Sequence, residues 1–204
     1  MRYSKIPDET IRRLPVYLRG LQYLLDQGRE SVSSTCLAEF LHAGAAQIRK
    51  DFSYFGDFGT RGVGYNVETL IKQIRVILKL SKTSGAALVG AGNLGNALLA
   101  YPGFRTYGFK ITAVFDNSPT RVGKKIGGVK VEDIAGIDDL KNRGIKLAII
   151  AVPAEAAQKV ADKLVIAGVN GILNFAPQFL TVPRKVKVIT IDIAMELGRL
   201  PYYI

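Results

Sequence analysis

Ala86-Ala87-Leu88-Val89-Gly90-Ala91-Gly92-Asn93-Leu94-Gly95 is an apolar run that passes directly into a G-x-G-x-x-G turn. A helix-like apolar stretch follows. About twenty residues past Gly95, a second apolar run, Ile111-Thr112-Ala113-Val114-Phe115, ends in Asp116. Strand, glycine turn, helix, strand and terminal acid together describe a dinucleotide site on a doubly wound α/β sheet. Gly90 suits the tight turn, Gly92 lets the backbone approach a pyrophosphate, and Gly95 lets the helix pack closely on its strand. The first N–H groups of that helix face the phosphates, with the positive end of its dipole behind them. Gly90, Ala91, Gly92, Asn93, Leu94, Gly95 and Asp116 therefore open the cofactor-binding set, with Asp116 accepting hydrogen bonds from the adenosine ribose hydroxyls.

Reading onward, Asn117 and Ser118 supply no adjacent cation for a 2′-phosphate, and the carboxylate repels one. NAD(H) is expected over NADP(H), although Arg121, Lys124 and Lys125 lie a little further on. A glycine-rich loop runs to Gly128, a short strand covers 129–131, and a helix is expected over 137–142. A buried-type strand follows at 147–152. Pro153 opens a helix with Glu155 in its first turn and Val160, Leu164 and Val165 on one face. Strands at 171–174 and 186–191 complete a Rossmann-like parallel sheet. Ligands on such sheets lie beyond the carboxyl ends of the strands. That adds Val152, Pro153, Asn174, Phe175 and Ala176 to the set, at a mouth whose apolar groups can contact a nicotinamide ring.

Residues 1–82 read differently, as helices with almost no strand signal. Leu14, Tyr17, Leu18, Leu21, Leu24 and Leu25 recur at helical spacing, with Pro15 tolerable only near the helix start. Ser33 and Ser34 are N-cap residues for a short helix through Leu41. His42-Ala43-Gly44-Ala45 makes a tight turn, and a third helix runs from about Ala46 through Phe55. Two short helices joined by a glycine-containing turn form a helix-turn-helix. On the third helix Ile48, Phe52 and Phe55 can pack inward, while Gln47, Arg49, Lys50, Ser53 and Tyr54 present groups that read base edges or hold phosphates. Four glycines in ten residues then surround Arg61 between Gly56 and Tyr65, as in a β-hairpin wing reaching a minor groove or a phosphate. The DNA-binding set is Ser33, Ser34, Gln47, Arg49, Lys50, Ser53, Tyr54, Arg61 and Gly62.

Composition agrees. The 204 residues are 48% hydrophobic, which is ample for packed cores, and carry a net charge of +11, which favours an anionic partner. The first 82 residues hold 13 basic and 8 acidic side chains, and the remainder 15 and 9, so geometry rather than charge singles out the DNA-binding half. One cysteine, Cys36, excludes an intrachain disulfide and fits a reducing cytoplasm. No apolar stretch is long enough to span a bilayer, so no membrane is expected. No metal ligands and no catalytic residues are assigned.

Hydride transfer to a carbonyl generally requires a proton donor beside the nicotinamide. The single histidine, His42, and the single cysteine both fall in the helix-turn-helix, and no Tyr-x-x-x-Lys pair occurs. Little chain remains for a substrate domain. The nucleotide is expected to be read rather than turned over. A small NAD-dependent oxidoreductase and a CoA- or nucleotide-binding regulatory module are the alternatives.

The chain resembles the Rex family of redox-sensing transcriptional repressors over its full length. The likeness is carried by Arg13-Leu14-Pro15-Val16-Tyr17-Leu18-Arg19, by 47–56 with its Ser53-Tyr54-Phe55-Gly56, and by Arg61-Gly62-Val63-Gly64-Tyr65. The glycine turn, Tyr101-Pro102-Gly103-Phe104, 152–157 and 171–177 continue it. The resemblance implies a homodimer with a winged-helix DNA-binding domain over 1–82, a Rossmann-like NAD(H) domain over 83–191, and a C-terminal dimerisation helix and tail over 192–204. It implies double-stranded operator DNA bound when NADH is scarce and released when NADH binds. By matching position, Arg19, Tyr101 and Asp192 form the coupling relay, and the helix at about 193–200 swaps onto the partner. Ile193 stands where some members carry Phe, so no ring is expected against the nicotinamides.

Overall fold

The computed structural model describes residues 6–60 and 63–204, which divide into two compact units, one running to Ser81 and the other from Lys82. The first unit opens with helix α1 (Asp8–Asp26), which buries Leu14, Tyr17, Leu18, Leu21 and Leu24 along one stripe. The helix starts earlier than Pro15 suggests. Asp8 and Glu9 occupy its first turn, where negative charge complements the dipole. Pro15 therefore sits inside the helix on its exposed side, where it lacks the N–H that would have bonded Ile11 O.

Strand β1 (Ser31–Val32) leads to α2 (Ser34–Leu41), whose N-cap Ser33 accepts from the Cys36 N–H at 3.0 Å. His42, in the left-handed region at φ +49°, ends α2 and turns the chain toward α3 (Ala45–Ser53). Ile48 and Phe52 of α3 are buried, and the Phe52 ring meets Tyr17, Phe58 and Tyr65 edge-on at 5.5, 5.5 and 5.3 Å. Strand β2 (Tyr65–Asn66) pairs antiparallel with β1, a ladder too short to show as alternation in the sequence. Thr60 and Gly64 exchange backbone hydrogen bonds at the base of the wing; Arg61 and Gly62, expected to contact DNA, lie outside the described residues. A side chain at Gly64 would meet Val32 O at 2.6 Å, so the wing packs against β1 only with glycine there. Helix α4 (Val67–Ile77) is capped by Asn66, which accepts from Thr69 N–H at 2.9 Å, and turns Val67, Leu70, Ile71 and Ile74 into the core against α1.

The second unit contains β3 (Ser84–Val89), α5 (Asn93–Ala100), α6 (Gly103–Thr106), β4 (Phe109–Asp116), β5 (Lys125–Ile126) and β6 (Val129–Asp133). Then come a 3-10 helix (Ile134–Leu140), β7 (Leu147–Ile150), α7 (Ala154–Ile166), β8 (Gly171–Asn174), β9 (Lys187–Thr190) and α8 (Ile193–Gly198). The sheet order is β5-β6-β4-β3-β7-β8-β9, parallel except for β5 on β6. Without β5 this is the dinucleotide-binding order, with the crevice where β3 departs toward β4 on one side and β7 on the other.

Several elements differ from expectation: α3 ends at Ser53 rather than Phe55, and β6 runs on to Asp133. The segment expected as a helix over 137–142 is the 3-10 turn that begins at Ile134, started by Asp133 accepting from Ala135 N–H at 2.8 Å. The strand expected through 152 stops at Ile150, although Ala151 N–H still reaches Val89 O at 2.8 Å. The terminal helix ends at Gly198, and Pro201 then shapes a separate 3-10 turn at Leu200–Tyr203.

Helix α7 and the 3-10 turn cover one face of the sheet, burying Ala157, Val160, Ala161 and Leu164 over Val89, Phe115 and Ile150. On the opposite face Leu98, Leu99 and Phe104 cover Leu88, Val114 and Ile149. Beyond them, toward β7, β8 and β9, the described residues of this unit leave an apolar hollow of about 490 Å³ lined by Phe109, Ile111, Leu147, Leu173 and Ile189.

Candidate nucleotide and DNA sites

The glycine turn is built as the spacing demands. Gly90 sits at φ +99°, and a Cβ there would run into Ala151 O; a Cβ on Gly95 would run into Gly90 O. Gly92 is the opposite case: nothing lies within 4 Å of where its Cβ would stand. The outer side of the turn is therefore open, next to the first turn of α5. A cavity of about 580 Å³ extends from Gly90 and Gly92 past Asp116 to Val152 and Pro153.

Asp116 is only 3% exposed and already holds three donors. Its Oδ2 accepts from Ala91 N–H at 2.7 Å and from Arg121 Nη1 at 3.2 Å, and its Oδ1 accepts from Ser118 N–H at 2.8 Å. Burial pushes its carboxyl up, but the Ala91, Ser118 and Arg121 interactions outweigh burial and hold it below the ordinary carboxylate value. Asp116 is therefore ionised, and it also fastens the glycine turn, a role its position in the chain does not reveal. Arg121, Lys159 and Lys163 line the same cavity and were absent from the expected set. The two lysines stand one helical turn apart on α7, a spacing visible in the sequence once Pro153 is placed at the mouth.

The other end of the expected set is arranged differently. Asn174 is fully buried, and its side chain shapes its own turn: Nδ2 donates to Ala176 O and Gln178 O, each at 3.0 Å, and Oδ1 accepts from Ala176 N–H at 3.0 Å. Its amide is a structural tie at the end of β8 rather than a free ligand contact. Phe175 is partly buried against the apolar cluster that includes Leu88, Ala91 and Ile149, and Ala176 is buried. These three stand apart from the cavity wall that Gly90, Gly92, Asp116, Val152 and Pro153 form. Ala91 is buried, whereas Asn93 and Leu94 are exposed at the start of α5.

In the first unit a cleft of about 560 Å³ lies between the start of α2, helix α3 and the wing, with Ser33, Ser34, Arg49, Ser53, Thr60 and Gly64 in its wall. Arg49 Nη1 donates to Ser34 Oγ at 2.9 Å, and Ser53 Oγ donates to Lys50 O at 2.7 Å. Lys50 is exposed and Tyr54 half-buried. Gln47, although exposed, donates from Nε2 to Asp51 Oδ1 at 2.9 Å. Asp51, buried between α3 and α1, was missed. It follows Ile48 by three residues and so shares its inward face, a signal masked by its basic neighbours.

The three residues of the expected relay have separate settings. Arg19 is exposed on α1. Tyr101 follows α5 with its ring edge-on to Phe104 at 5.5 Å. Asp192 is the N-cap of α8, accepting from Ala194 and Met195 N–H at 3.1 Å each.

Residues 5–53 match a family model described as "Putative DNA-binding protein N-terminus", and residues 81–178 match a CoA binding domain. A redox-sensing transcriptional repressor Rex from Roseiflexus sp. (strain RS-1) is 49% identical over 204 residues, covering 100% of this chain and 93% of that protein. The chain belongs to the Rex family. The Rex repressor of Carboxydothermus hydrogenoformans is likewise 49% identical over 205 residues, with 100% of this chain and 99% of that protein covered. Among solved structures, RSP, a Rex-family repressor, matches at 37% identity with a TM-score of 0.90, covering 98% of this chain and 94% of that one. RSP in complex with β-NAD⁺ and operator DNA matches at 38% identity and a TM-score of 0.92, covering 98% and 93%. Rex proteins are named as regulators, so the oxidoreductase alternative is set aside. Among the described residues no helix is long and apolar enough to cross a membrane.

Proposed function

We propose that this chain is a cytoplasmic repressor that grips a pseudo-palindromic operator as a homodimer and lets go when NADH enters the cavity beside Gly90 and Gly92. The observation that carries the reading is the open outer side of Gly92, next to a turn that buried Asp116 holds in place. A phosphate-sized approach to backbone N–H groups is thus preserved on a rigid support. Asp116 supplies the ribose contact, and its ionised state favours NAD(H) over a 2′-phosphorylated nucleotide. In the other unit Arg49, Lys50 and Ser53 lie along the outward side of α3, beside the wing, in the arrangement that sets a recognition helix in a major groove.

The homodimer is supported by uncovered apolar surface. The apolar hollow over β7–β9 and the exposed Leu197, Leu200, Tyr202, Tyr203 and Ile204 are costly to leave in water. We assign 1–82 to DNA, 83–191 to the nucleotide, and 192–204 to pairing with the partner, with Arg19, Tyr101 and Asp192 as the relay between sites. NADH can act only through its preference for one arrangement of the dimer. A coupling of about 1–3 kcal/mol changes operator affinity about 5- to 150-fold. A gel shift on a palindromic promoter fragment tests this: NADH should release the DNA at concentrations where NAD⁺ does not. Equal effects of the two nucleotides overturn the reading.

A further inference from the structure

One carboxylate on the inner side of α3 gathers donors from across the first unit. Asp51 has no exposed surface. Its Oδ1 accepts from Thr10 Oγ1 at 2.9 Å, from Arg13 Nη2 at 2.8 Å and from Gln47 Nε2 at 2.9 Å. Its Oδ2 accepts from Arg13 Nε and Tyr17 OH, both at 2.6 Å. A carboxylate offers about four lone-pair sites, so five donors saturate it. Three of the four partner residues belong to α1, at sequence separations of 41, 38 and 34.

Apolar packing alone leaves a helix free to slide or rotate by small amounts on its support, because it is non-directional. A two-pronged guanidinium–carboxylate pair fixes orientation as well as distance. Here that pair is joined by a phenol and a hydroxyl from the same helix, next to the Tyr17–Phe52 edge contact. The angle of α3 on α1 is therefore set by polar geometry at one point, and the outward side chains one and two residues before it and two after it inherit that angle. Gln47 belongs to the same cluster.

We propose that Asp51 is a positioning residue for operator recognition, and that Gln47 acts on DNA through Asp51 rather than by reading a base. This rests on α3 being the recognition helix. Arg49, Lys50 and Ser53 are then the described α3 side chains that address the duplex, and their aim depends on a carboxylate that never meets it.

The test compares wild type with Asp51→Asn, Tyr17→Phe and Gln47→Ala by fluorescence anisotropy. The duplexes are an operator selected from a random pool by the wild type, the same operator altered one base pair at a time, and a random duplex. Thermal melting and NADH titration accompany each variant. Asp51→Asn should weaken operator binding about ten- to a hundredfold, and Tyr17→Phe and Gln47→Ala about two- to tenfold. Random-duplex binding, which depends on phosphate charge rather than helix angle, should change far less. NADH affinity should hold, and Gln47→Ala should keep the wild-type ranking of altered operators. If Gln47→Ala instead levels discrimination at a single base pair, Gln47 is a base reader and its assignment is overturned. A folded Asp51→Asn, or Tyr17→Phe, that binds operator as the wild type does removes the positioning role. Tyr17→Phe keeps the ring in the core and decides the matter if Asp51→Asn does not fold. A wild type that prefers no duplex over random DNA sinks the operator reading first, and this inference with it.

Discussion

The backbone N–H of Ala91 donates to Asp116 Oδ2 at 2.7 Å, so the glycine turn after β3 and the acid at the end of β4 are fastened to each other. Replacing Asp116 with Ala should therefore loosen the turn as well as remove the proposed ribose acceptor. NADH and NAD⁺ affinities should both fall, by about tenfold or more, with their ratio little changed. Isothermal titration of each nucleotide checks this. An affinity ratio that moves while one nucleotide binds normally contradicts it.

The glycines of the turn should respond in opposite ways. Gly95→Ala places a Cβ against Gly90 O and should lower the melting temperature of the unit as well as abolish nucleotide binding. Gly92→Ala meets no protein atom within 4 Å, so the melt should stay near wild type while NADH affinity drops, because the methyl occupies the open side proposed to receive the pyrophosphate.

Acid should act on the first unit through Asp51. Burial pushes this carboxyl up, but hydrogen bonds from Arg13, Tyr17, Thr10 and Gln47 outweigh burial and bring it to about 2, from an ordinary value of 3.8. Because the folded value is the lower one, the stabilisation is complete above about pH 4 and is lost as pH falls toward 2. Melting temperature against pH should show that decline in the wild type and a flatter curve in Asp51→Asn. Removing the carboxylate altogether leaves Arg13, Tyr17 and Thr10 without their acceptor and should lower the melting temperature at neutral pH.

Lys50→Ala should weaken binding to all duplexes alike and reduce the slope of log affinity against log salt by about 1, the signature of one lost phosphate contact. Arg49→Ala should do more, since Arg49 also bonds Ser34 Oγ and so joins α3 to the start of α2. Anisotropy over a salt series separates the two.

Asp192→Ala removes the cap of α8 and, in the proposed relay, the link between sites. NADH should still bind, and operator should still bind, but adding NADH should no longer release the DNA. Release at wild-type NADH concentrations would dismiss Asp192 from the relay.

The parts of this molecule that depend on neighbours in the chain were legible in advance. The Gly90–Gly95 turn, the acid ending β4 and the Ser33 cap each announce themselves within a few residues, because backbone geometry and capping are local. What escaped depends on distant partners or on weak local signals. The start of α1 was hidden because Pro15, usually a helix-opening residue, lies in the interior here. The two-residue strands β1 and β2 are too brief for alternation to register. Asn174 reads as a ligand residue at the end of a parallel strand, yet its amide is consumed by the turn it begins. No linear pattern shows that Asp51 meets Arg13 across 38 positions, or that Arg121 closes on Asp116.

The hollow over β7, β8 and β9 has a consequence for dosage. Hydrocarbon left facing solvent favours whatever association covers it, and association responds to concentration by mass action. A cell that thins this protein by growth would then change its working form as well as its quantity, so that the reading of redox state depends on how much of the reader has been made.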